Sequence, residues 1–117
     1  MKHEIYFMMK RKKSLTISNS KELCEVPFSD ITFIMSNGMS ATIHTLKEKF
    51  YVSKNIGAIE NELDNTFYRP TNSHLISRNG IVKYLKEDGG IILMKCGSKI
   101  TPSRSKKSGF IKWYKEM

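Results

Sequence analysis

The sequence predicts a mainly β fold, with antiparallel strands in small packed sheets, one short internal helix and a C-terminal helix. Two observations support this prediction. Short apolar runs recur along the chain, and Asn-Gly, Asp-Gly-Gly and similar turn signals separate them. Helical periodicity is too rare for the alternation of strands and helices that a parallel α/β sheet requires.

The first half of the chain is predicted to form strands joined by tight turns. Leu15 and Ile17 alternate with hydroxyl residues, which is typical of a half-buried strand. In the next strand, Leu23 and Val26 are expected to face inwards. Asn37-Gly38 lies between two β-like runs and is the strongest short-range signal for a hairpin. The predicted strands cover residues 14–18, 21–26, 31–35, 41–46 and 49–52.

One short internal helix is predicted after Ser53, a residue type that can cap a helix N-terminus. Ile56, Ile59 and Leu63 follow at positions i, i+3 and i+7 and would form its apolar face. Its polar side is acidic, carrying Asn61, Glu62 and Asp64. We therefore expect this helix to pack within the fold rather than contact a polyanion.

Residues 67–81 combine apolar anchors with exposed polar groups. Pro70 biases Arg69 towards an extended conformation. Asn79-Gly80 predicts a turn, because both residue types tolerate positive φ. We expect a short strand, an exposed loop over residues 71–74, an apolar anchor and a turn. A loop held at both ends is well suited to presenting side chains, although an ordinary surface loop is the alternative.

The last third of the chain is predicted to contain another hairpin and the terminal helix. Asp88-Gly89-Gly90 separates two strands, over residues 82–87 and 91–96. A third strand, over residues 99–101, ends at Pro102, which cannot donate to a strand ladder. From Ser103 the chain can form a helix with aromatic side chains on one face, namely Phe110, Trp113 and Tyr114.

The charge balance indicates a polyanionic partner. The 117 residues are enough for one domain, and 20 Lys and Arg against 11 Asp and Glu give a net charge of +9. Nucleic acid is the expected partner before a membrane surface. Residues 1–20 are predicted to be a basic N-terminal strand or extension, ahead of a domain over residues 21–117. The cluster at residues 10–13 is interpreted either as an arm that touches phosphates or as a solvated turn.

Several classes of function are not supported by the sequence. Cys24 and Cys96 are too few for a disulfide scaffold and lack metal-ligand spacing. The three histidines, His3, His44 and His74, are scattered and form no catalytic motif, and His44 lies in a predicted strand as a structural residue. We expect no enzyme activity, no cofactor and no metal. No apolar run reaches the roughly 18 residues of a membrane span, and no signal peptide is present, so the cytoplasm is the expected location.

Three segments resemble the LytTR family of bacterial DNA-binding domains. The family pattern F-x-R-x-H-x-S-x-I-V-N-x-x-x-I corresponds to residues 67–81, where Phe67, Arg69, Asn72-Ser73, Leu75-Ile76, Ser77 and Ile81 match. Upstream, V-P-F-S-D-I-T-F-I at residues 26–34 is similar to the start of the family domain. Downstream, I-T-P-S-R at residues 100–104 is similar to its Ser-Arg signature. The resemblance covers roughly residues 21–113.

This resemblance implies a domain whose loops enter the major groove of double-stranded DNA. Asn72 and Arg104 are the implied base contacts, since asparagine can pair with adenine and arginine with guanine. The third contact loop covers residues 38–41 and supplies Ser40. It carries Met39-Ser40-Ala41 where some relatives have a basic or aromatic residue, so we expect van der Waals contact, for example to a thymine methyl, or none. Expected contacts to the DNA backbone are Arg69, Ser73, Arg78, Lys106 and Lys107.

The function expected from the resemblance is transcriptional regulation through sequence-specific DNA binding. Because loops on one face cover only about one short site, we also expect two copies on repeated half-sites. The alternative is an interaction module of the same fold that has lost DNA reading. Binding of single strands or RNA ranks last, because the aromatic residues fall at predicted core positions. A rival role for Arg104 is an ion pair with Glu62 or Asp64.

Many relatives carry a phosphorylatable receiver domain ahead of this domain. None precedes Met1 in this sequence. If Met1 is the gene start, we expect control through abundance, a partner protein or self-association. Otherwise a receiver domain lies upstream.

Overall fold

The computed structural model describes residues 13–116, in which ten strands and two α-helices are joined by short turns. The helices are α1 (Ile56–Glu60) and α2 (Lys107–Glu116). Single 3-10 turns cover Phe28–Asp30, Arg78–Gly80 and Arg104–Lys106. The strands are β1 (Ser14–Ser18), β2 (Leu23–Pro27), β3 (Ile31–Asn37), β4 (Ser40–Thr45), β5 (Lys49–Val52), β6 (Phe67–Thr71), β7 (His74–Ser77), β8 (Ile81–Leu85), β9 (Ile91–Met94) and β10 (Lys99–Ile100).

The strands form three antiparallel sheets, so the prediction of a mainly β fold is confirmed. The central sheet has five strands in the order β5-β4-β3-β7-β6. A two-stranded sheet, β1-β2, packs on one face of it, together with α1. A three-stranded sheet, β10-β9-β8, packs on the other face, together with α2.

Two hydrophobic cores lie on opposite faces of the central sheet. Successive side chains of a strand point to opposite faces, and β3 is apolar on both. Ile34, which pairs with Leu75 of β7, belongs to the core shared with β1, β2 and α1. Phe33, which pairs with Ile76, belongs to the core that also contains Phe110 of α2. Burial on both faces explains why the neighbouring residues Phe33 and Ile34 are both apolar instead of alternating with polar residues.

A β-bulge at Thr32 adjusts β3 to these two cores. Ile31 pairs with Thr45 and Phe33 with His44, so β3 has one extra residue opposite β4. The Thr32 hydroxyl is buried and donates a hydrogen bond of 2.9 Å to the backbone oxygen of His44. This extra residue allows Ile31 and Ile34, an odd number of positions apart, to face the same core.

The Asn79-Gly80 turn has a different physical basis from the one predicted. Among the described residues, positive φ occurs at Gly38, Gly97 and the Asp88-Gly89-Gly90 hairpin, and not at Gly80. Instead, a Cβ on Gly80 would lie 2.6 Å from the backbone oxygen of Thr32. Glycine is therefore required here by the close approach of two backbones, next to the bulge.

Two local predictions in the first half were wrong. Leu23 is 76% exposed, because Val26 and Cys24 pair with Leu15 and Ile17, and Leu23 is out of phase with them. The cap of α1 is Asn55 and not Ser53, since the Asn55 side chain accepts a 2.8 Å hydrogen bond from the Ala58 amide. The predicted basic cluster at residues 10–13 lies outside the described residues except for Lys13.

Candidate nucleic-acid interface

The hairpin loop between β3 and β4 is a tight turn with an apolar tip. Gly38 adopts φ of +81°, and Asn37 pairs with Ser40 across the turn. The Asn37 side-chain amide donates a 2.7 Å hydrogen bond to the Thr42 hydroxyl, which fixes the base of the loop. Met39 is 83% exposed at the tip, whereas the predicted contact Ser40 is half-buried at the start of β4.

The loop between β6 and β7 carries Asn72 and Ser73, both exposed. The hydroxyl of Thr71 closes this loop, because it accepts a 3.1 Å hydrogen bond from the Ser73 amide and lies 2.8 Å from Nδ1 of His74. Burial lowers the pKa of His74 below its ordinary value, so the neutral ring is favoured beside Thr71.

The first two loops lie at the same end of the central sheet. β3 ends and β7 begins there, since Met35 pairs with His74 in an antiparallel register. The Ser36 amide donates a 2.8 Å hydrogen bond to the backbone oxygen of Ser73, which extends the β3–β7 pairing into the Asn72 loop. The hairpin tip and the Asn72 loop are thus directly joined through the backbone.

The segment that carries Arg104 is attached to the same end of the sheet. Both the amide and the hydroxyl of Ser103 donate to the backbone oxygen of Pro70, at 2.9 and 3.3 Å. A 3-10 turn follows, and its Lys106 carbonyl accepts a 2.9 Å hydrogen bond from the Tyr68 hydroxyl. Arg104 is exposed on this turn. The three loops predicted to contact DNA are therefore held together at one end of the domain.

Aromatic contacts fix the C-terminal segment. The Trp113 indole donates a 2.8 Å hydrogen bond to the backbone oxygen of Asn65, and its ring stacks on Tyr68 at 5.3 Å between centroids. Phe110 is fully buried beneath them. Sequence reasoning assigned Phe110 and Trp113 to one helix face. It did not find Tyr68, because its partner Lys106 is 38 positions away and no local pattern links the two.

The predicted DNA-backbone contacts fall into two groups. Ser73 lies on the Asn72 loop, Lys106 ends the 3-10 turn, and Lys107 begins α2 and is half-buried. Arg69 and Arg78 are engaged within the protein.

The internal contacts of the two arginines differ. The Arg69 guanidinium lies 3.0 Å from the Glu60 carboxylate and donates a 2.9 Å hydrogen bond to the Asn72 backbone oxygen. The Arg78 guanidinium lies over the Tyr114 ring, 3.9 Å from its centroid.

The rival role for Arg104 is not supported by the positions of the two carboxylates. Glu62 forms an ion pair with Lys54, and the Asp64 carboxylate accepts hydrogen bonds from Thr66. Arg104 remains exposed. Its base-contacting role stays a prediction.

His44 has the surroundings of a structural residue. Its ring stacks on Phe33 with 4.1 Å between centroids and an interplanar angle of 10°. Burial, with a smaller effect from Lys49, lowers the pKa of His44, so the neutral ring is favoured. Within residues 13–116, no group of three or more His, Cys, Asp or Glu is placed to hold a metal ion. No helix in the same residues is long and apolar enough to cross a membrane.

The fold and its three joined loops define a β scaffold that presents loops at one end. The LytTr DNA-binding domain profile matches residues 21–115, and the chain belongs to this family. The family is non-enzymatic, and its general role is binding of double-stranded DNA in transcriptional regulation.

A solved structure shows the same fold. It is described as the LytTr DNA-binding domain of a methyl-accepting/DNA response regulator from Bacillus cereus. Sequence identity is 19%, the TM-score is 0.76, and the match covers 87% of this chain and 96% of that chain. No curated protein sequence matches this chain.

Proposed function

We propose that this domain is a bacterial transcriptional regulator that reads double-stranded DNA by placing three loops in the major groove. The observation that supports this most directly is the pair of backbone links, Ser36 to Ser73 and Ser103 to Pro70, that hold the three loops at one end. The major groove is wide enough for a two-stranded ribbon, so it can admit a tight hairpin loop such as the one between β3 and β4. The site of action would be the cytoplasm.

Each loop is proposed to make a different kind of contact. Asn72 and Arg104 are exposed polar side chains suited to paired hydrogen bonds with adenine and guanine edges. Ser73, Lys106 and Lys107 lie beside them and fit phosphate contacts, which fix orientation without reading sequence. For Arg69 and Arg78, a phosphate contact stays a prediction from the sequence, because both guanidinium groups have partners within the domain.

Binding to selected and random duplexes at several salt concentrations tests the proposed function. The affinity for a selected duplex should fall linearly with salt on a log–log scale, by about 0.9 per neutralised phosphate. The selected duplex should also bind much more tightly than random duplexes of the same length. A flat salt dependence, or equal affinity for all duplexes, would contradict the proposal and favour the interaction module that has lost DNA reading.

Arg104→Ala should remove preference at one base pair. A paired guanine contact is worth roughly 1–3 kcal/mol, so the affinity for the selected duplex should fall about tenfold while the melting temperature is retained. Lys107→Ala is the matched control, since it should weaken all duplexes alike and lower the salt slope by about one. If Arg104→Ala lowers the melting temperature and leaves base preference unchanged, Arg104 is a structural residue.

Met39 is proposed to supply the contact of the third loop, in addition to Ser40. Its exposed thioether side chain at the hairpin tip suits van der Waals contact with a thymine C5-methyl group. Replacing each thymine of the selected duplex in turn with deoxyuridine should weaken binding at one position, and Met39→Ala should abolish that sensitivity. Equal deoxyuridine effects in both proteins would show that Met39 does not read the methyl group.

Two copies are proposed to bind repeated half-sites on the same side of the duplex. One end of a single domain covers a short sequence, and groove periodicity places equivalent sites about one helical turn apart. Inserting about 5 bp between the half-sites should abolish paired binding, because the second copy then faces the opposite side. Gel shift measures the effect, and the controls are the duplex without an insertion and a duplex with an insertion of one full helical turn. Paired binding that is indifferent to the insertion of half a turn would contradict the proposal.

A further inference from the structure

We infer that Arg69 is a positioning residue that holds the Asn72 loop in its reading conformation, with Glu60 of α1 as its anchor. This inference rests on the proposed function. It assigns Arg69 a role different from the phosphate contact that the sequence predicts, and it gives α1, through Glu60, a part in DNA reading without contact to DNA.

The geometry of the Arg69 guanidinium supports this role. Nη1 lies 3.0 Å from the Glu60 carboxylate, and Nη2 donates a 2.9 Å hydrogen bond to the backbone oxygen of Asn72. The third nitrogen, Nε, is buried and has no hydrogen-bond partner within residues 13–116. Two of the three nitrogens thus hold protein groups, and the third faces the protein interior. A phosphate would have to compete with Glu60 for this side chain.

Arg69 lies where α1, the Asn72 loop and the Arg104 turn meet. It immediately precedes Pro70, whose backbone oxygen accepts both hydrogen bonds from Ser103. Its own side chain connects α1 to the Asn72 carbonyl. The backbone beside Arg69 thus supports the Arg104 turn while its side chain supports the Asn72 loop.

Stability alone gives no sufficient reason for this ion pair. The side chains of Arg69 and Glu60 are 27% and 44% exposed, and pairs with such exposure contribute little to folding. The planar guanidinium can, however, hold two partners in fixed directions, which a lysine ammonium on its flexible stem does less well. The main effect of the ion pair is therefore to hold the Asn72 loop in one orientation.

Glu60→Gln separates the two roles of Arg69 because they predict opposite changes. If Arg69 positions the loop, loss of its anchor should reduce preference at the base read by Asn72 by at least about fivefold, the lower end of one paired contact. If Arg69 binds phosphate, its release from Glu60 should raise affinity for all duplexes and steepen the salt slope by about one. The second result would overturn the inference.

The control is Glu87→Gln, which removes the same charge from an exposed residue before the β8–β9 turn. It accounts for the general gain in affinity that follows from a more positive protein. Arg69→Lys adds a test that keeps the charge. A positioning role predicts loss of preference at the Asn72 base with the salt slope retained, whereas a phosphate contact predicts nearly unchanged binding.

A measurement without DNA tests the loop-holding role of Glu60 and Arg69 separately from the proposed function. Amide hydrogen exchange at Ser73, which donates to the Thr71 hydroxyl, and at Ser36, which donates to the Ser73 carbonyl, should become faster in Glu60→Gln and remain unchanged in Glu87→Gln, with both variants folded by circular dichroism. Unchanged exchange at both amides in Glu60→Gln would overturn the inference. Absence of sequence-specific binding by the unmodified domain would overturn the proposed function, while the exchange result would still show whether Glu60 holds the loop.

Discussion

The central constraint on this domain is that β3 has to serve two hydrophobic cores. Phe33 and Ile34 are neighbours in sequence, yet each is buried on a different face of the five-stranded sheet. The bulge at Thr32 keeps Ile31 on the same side as Ile34, and Gly80 leaves room for the bulged backbone. Because β4 and β7 pair with β3 on either side, its position fixes the direction of both neighbouring strands. The directions of these strands in turn fix the positions of the loops at the end of the sheet.

Backbone hydrogen bonds carry the rigidity of the scaffold into the loops. Ser36 binds the Asn72 loop, and Ser103 binds the corner at Pro70. Tyr68 then holds the turn that carries Arg104, through the Lys106 carbonyl. A loop already fixed in its binding conformation loses less conformational entropy on contact with a ligand, so more of the interaction energy contributes to affinity. A mainly β domain can in this way hold the side chains of its loops in fixed positions.

The sequence was sufficient for features that depend on neighbouring residues. Asn37-Gly38 and Asp88-Gly89-Gly90 specify their turns through positive φ, and alternation specifies the strands on either side. Prediction from the sequence failed where distant packing partners determine the structure. The pairing of β1 with β2 determines which face of β2 is buried, and Leu23 lies on the other face. Gly80 is required by the close approach of Thr32, 48 positions earlier. The family resemblance identified Asn72 and Arg104 as candidate base contacts. The backbone hydrogen bonds that place them at one end join residues up to 37 positions apart, and no local pattern encodes them.

The three arginines in the segments that resemble the family differ in their surroundings, and these surroundings determine whether each guanidinium is available to a ligand. Arg104 is exposed on a fixed turn, so its fork of donors is available to a ligand. Arg69 directs its donors to Glu60 and the Asn72 carbonyl, and Arg78 lies against Tyr114. The net charge of +9 therefore overstates the number of cations free to meet a polyanion at this end of the domain. Arginines engaged with protein groups still add to the net positive charge that attracts a polyanion over long range, while under the proposed function base discrimination depends on the few side chains that the loops leave exposed.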